Sequence, residues 1–180
     1  MGLLSSLFGG NKKDESGEQE KQEKKNFEIL KYDGIRARNI RQLPYAIKCF
    51  EEATAIKEDV ETMELLAASY LQTGKTDDAR TVYNRLAEIA PENTKVLLSL
   101  AGVCFIQEDY PAMKEACEKA ISIDDKNKAA FYLAAKAEKG EKNYIQAIVM
   151  LTKAIAIDED FKDAYQLRAE VLWEMRQAKE

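Results

Sequence analysis

The chain has 180 residues, 46% of them apolar and 33% charged, and only three prolines and eight glycines, a helix-leaning profile too poor in turn formers for an all-β fold. Its formal net charge of −5 lacks the Lys/Arg excess that grips phosphate backbones, so nucleic acid is not an expected partner. It has no histidine, which removes the commonest general base, the commonest metal ligand and every His-dependent triad, and no metal or other cofactor is expected.

Residues 1–25 fall outside the pattern that fills the rest of the chain. Met1–Gly10 (MGLLSSLFGG) carries Leu3, Leu4, Leu7 and Phe8, which fit one face of a short helix. One expectation is a sticky terminus; the other is a weak anchor for a membrane or a partner. Gly2 and Ser6 also fit the myristoylation pattern. Asn11–Lys25 is almost all Lys, Glu, Gln, Asp, Ser and Gly, which predicts disorder or frayed helix. No stretch approaches the length of a transmembrane helix, and the start lacks the basic and long apolar regions of a secretory signal. The expected location is cytoplasmic, with peripheral membrane contact if residues 1–10 act as an anchor.

From residue 26 to 180 the chain reads as one repeat domain. Ala46 to Ala79 is a step of 33, and Ala79 to Ala147 a step of 68, twice 34, with Met113 in the same register between them. Four units follow, about 27–59, 60–93, 94–127 and 128–161, then a last helix over 162–176. Each unit reads as two helices separated by turn formers. The first places Leu30 and Gly34 before the Leu43-Pro44 break, and Ala46, Phe50 and Ala53 after it. The second has Met63, Ala67 and Tyr70, the break at Thr73–Asp77, then Ala79 and Tyr83, and ends near Pro91. The third has Leu97 and Ala101, the break at Glu108–Pro111, then Met113 and Ala120. The fourth has Phe131 and Ala135, the break at Gly140–Tyr144, then Ala147, Leu151 and Ala154. Tyr165 and Ala169 hold matching packing places in the last helix. Large and small residues alternate because two helices approach closely only where one side offers Ala or Gly. One unit alone cannot hide its apolar face, so neighbours must stack.

This pattern resembles the tetratricopeptide repeat family over roughly Phe27 to Arg176. The family's series of large, small, aromatic, Ala, aromatic, Ala and Pro is met best by Met63, Ala67, Tyr70, Ala79, Tyr83 and Pro91, with Leu86 in place of the second Ala. Met113 replaces an Ala, Cys117 an aromatic, and Glu138 stands where an aromatic is usual. The resemblance implies an all-α fold, a right-handed α-solenoid of stacked antiparallel helix pairs: four units plus a C-terminal capping helix. It also implies a concave surface lined by the first helix of each unit. The residues it brings to that groove are Lys31, Arg38, Leu65, Leu71, Gln72, Leu98, Ser99, Phe105, Tyr132, Lys136, Lys139 and Trp173. The middle is apolar and the rims basic, which suits a helix or extended segment with hydrophobic anchors and a few carboxylates.

The expected function is therefore non-catalytic: an adaptor or scaffold holding another protein or peptide. Some family members clamp the C-terminal carboxylate of chaperones. Lys31 matches one clamp place, but Ile35 and Leu65 stand where the two asparagines belong, so a chaperone tail is not the expected ligand. A second reading is a homo-oligomer stacking through the last helix at Trp173. Acidic pairs such as Glu51-Glu52, Asp77-Asp78 and Asp124-Asp125 fall on exposed faces or in loops and do not build a catalytic site. The cysteines, Cys49, Cys104 and Cys117, match no metal spacing and read as buried free thiols; a reversible Cys104–Cys117 disulfide is the alternative.

Overall fold

In the computed structural model, which describes residues 12–178, several helices begin at a short polar capping side chain or carry a proline in their first turn. Nine α-helices are present among the described residues: α1 (Lys12–Asn39), α2 (Leu43–Ile56), α3 (Val60–Gln72), α4 (Thr76–Ile89), α5 (Thr94–Ile106), α6 (Tyr110–Ile123), α7 (Lys128–Gly140), α8 (Tyr144–Ile157) and α9 (Lys162–Gln177). The side chains of Asp59, Asn93 and Asn127, each 34 residues from the next, cap α3, α5 and α7 by accepting from the backbone N–H of Thr62, Val96 and Ala130. Asp109 does the same for α6, and Pro44 and Pro111 occupy the first turns of α2 and α6, where no N–H is needed.

The turn inside each pair repeats as strictly as the caps. Arg41, Gly74, Glu108 and Lys142, separated by 33, 34 and 34 residues, all lie in the left-handed region, with φ of 60°, 75°, 55° and 63°. Only one of the four is glycine. In three of these turns the next N–H returns to the helix just ended: Gln42 donates to Ala37, Asp109 to Cys104 and Asn143 to Glu138, at 2.8, 2.9 and 2.8 Å. These bonds satisfy carbonyls that the helix end would leave open.

The chain divides into two compact units. The first ends at Thr73 and the second begins at Gly74. In the first, α1 packs on α2 and α2 on α3, burying Phe27, Ala46, Phe50, Ala53, Met63, Ala67 and Tyr70. Gly34 allows the closest approach: a Cβ there would stand 2.5 Å from a ring carbon of Phe50, which is fully buried. In the second, α4 to α9 pack in sequence. Phe131, Ala135, Ala147, Leu151, Ala154, Ala164, Leu167 and Val171 form one apolar cluster, and Ala101, Cys104, Met113, Ala116, Cys117, Ala134 and Ala137 another. The register residues Ala46, Ala79, Met113 and Ala147 are each 0% exposed.

Four features depart from the sequence reading. The charged stretch expected to be disordered or frayed is helical from Lys12 as the first half of α1. Lys, Glu and Gln are good helix formers, and here they make a helix polar on every side. Met1–Gly10, with its apolar start, lies outside the described residues. Tyr165 and Ala169 hold packing positions yet are exposed, because no helix covers that face of α9 among the described residues. Pro91 is exposed as well, since it stops α4 from within the following loop, and Leu30 is half-buried.

Candidate peptide-binding groove

The expected groove residues fall into two sets, one in each unit. In the first unit Lys31 is bound from two sides, its Nζ 3.3 Å from Asp59 Oδ2 and 2.6 Å from Glu61 Oε2. The hydrogen bond with Glu61 chiefly raises its pKa, so the charge is fixed and already neutralised. Leu65 and Leu71 are half-buried. Arg38 and Gln72 line an open hollow of about 560 Å³ with Asn39, Arg41 and Leu43.

The second unit builds a more defined site. A cavity of about 380 Å³ is lined by Phe105, Tyr110, Tyr132, Lys136, Lys139, Gly140, Leu167, Glu170 and Glu174. Tyr132, Lys136 and Lys139 stand at i, i+4 and i+7 on α7, and Leu167, Glu170 and Glu174 at i, i+3 and i+7 on α9, so each helix offers one continuous face. Phe105, the penultimate residue of α5, is 36% exposed. The Lys136 ammonium lies 3.8 Å from the centroid of the Phe105 ring and 5.9 Å from that of Tyr132. The ring faces attract the cation, but burial, and then the charge of Lys139, pushes its pKa below the ordinary lysine value. Lys139 differs. Burial alone would lower it, yet hydrogen bonds with Glu174 and Glu170, at 3.0 and 3.3 Å, hold it above the usual range. Glu170 is held low in turn, first by the Gln166 amide, which donates at 3.2 Å, then by Lys139. Burial, then the charges of Asp163 and Glu170, raises the Tyr132 hydroxyl.

Phe105, Tyr132, Lys136 and Lys139 line this one cavity together. Leu98 instead packs against the cluster of Leu97, Ala120 and Ala130, and Ser99 is half-buried beside it in sequence. Trp173, 65% exposed, is not part of the cavity lining. The sequence reading missed Tyr110, Gly140, Leu167 and Glu174 as lining. Tyr110 lies flat enough against Gly140 that any Cβ at that position would enter its ring. A glycine at a helix end, 30 residues after Tyr110, was the available signal.

The remaining polar groups support structure. Glu138, buried where an aromatic is usual, pairs with Lys114 at 3.3 Å and accepts from the Asn143 amide at 2.9 Å. Arg80 donates to Asp109 at 2.6 Å and to Gln107 at 2.8 Å. The three cysteines are free and buried, and burial pushes the Cys117 thiol up to about 12, which suppresses the reactive thiolate. Among the described residues no group of His, Cys, Asp and Glu could hold a metal ion, and no helix is long and apolar enough to cross a membrane.

A family profile described as tetratricopeptide repeat matches residues 60–103. Anaphase-promoting complex subunit 3 of Schizosaccharomyces pombe is 30% identical over 112 residues, covering 62% of this chain and 17% of that protein. The chain therefore spans less than a fifth of that curated relative's length. Among solved structures, MamA from Desulfovibrio magneticus RS-1 superposes with a TM-score of 0.76 at 16% identity, over 86% of this chain and 88% of that one. YrrB, described as a tetratricopeptide protein with an unusual peptide-binding site, superposes with a TM-score of 0.69 at 19% identity, over 76% of this chain and 71% of that one. These likenesses fix the fold as an all-α solenoid of helix pairs.

Proposed function

We propose, from the premise that this chain belongs to the tetratricopeptide repeat family, that it is a non-catalytic adaptor holding a peptide or helix of another protein in the groove of its second unit. The observation that carries this reading is the 380 Å³ cavity in which the exposed ring of Phe105 and the ring of Tyr132 stand beside the Lys136 ammonium. Aromatic side chains in a pocket supply most of an interface's affinity once they are desolvated, and a charge at the wall sets orientation. The likeness to a tetratricopeptide protein described as having a peptide-binding site supports a protein ligand in general terms.

The test is capture from an extract of the protein's own cells. The full chain should retain a partner that the Phe105→Ala/Lys136→Glu variant loses, with equal helical circular dichroism for both. Equal capture by both would move the interaction to another surface.

A second reading, self-association through α9, is favoured by the exposure of Tyr165, Leu172 and Trp173 on that helix, 43%, 46% and 65%. Peripheral membrane contact through residues 1–10 of a cytoplasmic protein is a separate proposal, resting on Leu3, Leu4, Leu7 and Phe8. Deleting those residues should shift the protein out of the membrane fraction.

A further inference from the structure

Among the described residues four lysines are half-buried: Lys31, Lys114, Lys136 and Lys139. Three of them follow one rule. Lys31 reaches Asp59 and Glu61, Lys114 reaches Glu138 and Glu141, and Lys139 reaches Glu170 and Glu174, all within 3.3 Å. A partly desolvated ammonium needs such partners, since it has given up part of its hydration. Lys136 breaks the rule. No carboxylate of the described residues lies within 4.0 Å of its ammonium, which rests on the Phe105 ring. The repeat does not require a charge there either. At the same register the other units carry Ile35, Ala68 and Gly102, 34 or 33 residues apart.

We infer that Lys136 receives the side-chain carboxylate of an Asp or Glu in the bound peptide, on the Phe105 side of the cavity, beside an apolar side chain that fills it; this rests on the groove reading above. The neighbouring charges fix the place. Glu170 and Glu174 already compensate Lys139 and would repel a further carboxylate at that end of the cavity. Around Lys136 the walls are the rings of Phe105 and Tyr132, so the carboxylate meets one uncompensated ammonium flanked by aromatic rings. A peptide's C-terminal carboxylate would arrive with its last backbone amide, both needing several converging donors, and these walls do not supply them. A carboxylate on a side-chain arm brings only itself. The depressed basicity of Lys136 fits an ammonium whose partner has yet to arrive.

The experiment is selection from a random-peptide library on the full-length protein, followed by affinity measurements with the selected peptides. The expected result is an Asp or Glu at a fixed offset from an apolar or aromatic residue. Changing that acid to its amide should weaken binding about tenfold on the natural chain and leave it unchanged on Lys136→Met, the coupling a double-mutant cycle reads. Lys136→Arg should keep most of the affinity. The amide peptide tests the idea on an unaltered protein, so a misfolded variant would not obscure the answer. If no peptide is selected, the groove reading fails and this inference with it. If apolar peptides without an acid are selected, the groove stands and the role of Lys136 is overturned. Loss of binding when the peptide's C-terminus is amidated would overturn it too, by making the terminus the ligand.

Discussion

At the residue scale, the four left-handed turn positions offer a direct comparison. A non-glycine residue in this region costs roughly 1–2 kcal/mol, offset in part by the extra freedom glycine has in the unfolded chain. Gly74→Ala should therefore lower stability by about 1 kcal/mol in urea melts, and Glu108→Gly should raise it by up to the same amount. The two contact glycines should behave differently from each other. Gly34→Ala forces the fully buried Phe50 ring aside and should cost about 1–3 kcal/mol. Gly140→Ala meets Tyr110, which is half-buried rather than fully buried, so stability should fall less while the cavity narrows and peptide affinity drops. Asp109 makes stability sensitive to acid. The Arg80 guanidinium, then the backbone N–H of Ala112, holds its folded pKa below the ordinary value. A lowered carboxylate pKa contributes stability that is full above the unfolded value, near pH 4, and is lost as pH falls through the folded one. Asp109→Asn should thus be less stable than the natural chain at neutral pH, and that gap should close in acid melts below about pH 4.

At the scale of the elements, much was legible because five of the helices carry their own punctuation. Asp59, Asn93, Asn127, Pro44 and Pro111 mark the starts, and the alternation around Ala46, Ala79, Met113 and Ala147 marks the buried faces. Less legible was what depends on a neighbour. Lys139 reads as a free rim charge in sequence, but its carboxylates lie 31 and 35 residues away on α9, and only the packing of that helix brings them to it. Lys31 was misread for the same reason. Tyr165 and Ala169 have the register of packing residues, and register alone says nothing about whether a covering helix follows. The charged start of α1 was underestimated because the sequence reading weighed its lack of apolar area over its helix propensity. The uncovered face of α9 gives the element-scale prediction. If it mediates self-association, sedimentation across a concentration range should show a dimer that Leu172→Glu/Trp173→Glu abolishes; a monomer at all concentrations would leave that face to another partner or to solvent.

At the scale of the whole molecule, the chain is a stack of repeated helix pairs with the fold of tetratricopeptide proteins. Repeated helix pairs hold apolar and charged groups on rigid elements, and function resides in which side chains depart from the repeat. At the cavity, Lys136 departs from the Ile35, Ala68 and Gly102 that hold its register in the other units. The most direct test of the central claim is nuclear magnetic resonance of the full chain, with its aromatic side chains and lysines labelled, titrated with a library-selected peptide. The account predicts saturable shifts at Phe105, Tyr132 and Lys136, with the outer face of α9 unmoved. Shifts confined to Tyr165 and Trp173, with the cavity silent, would contradict it.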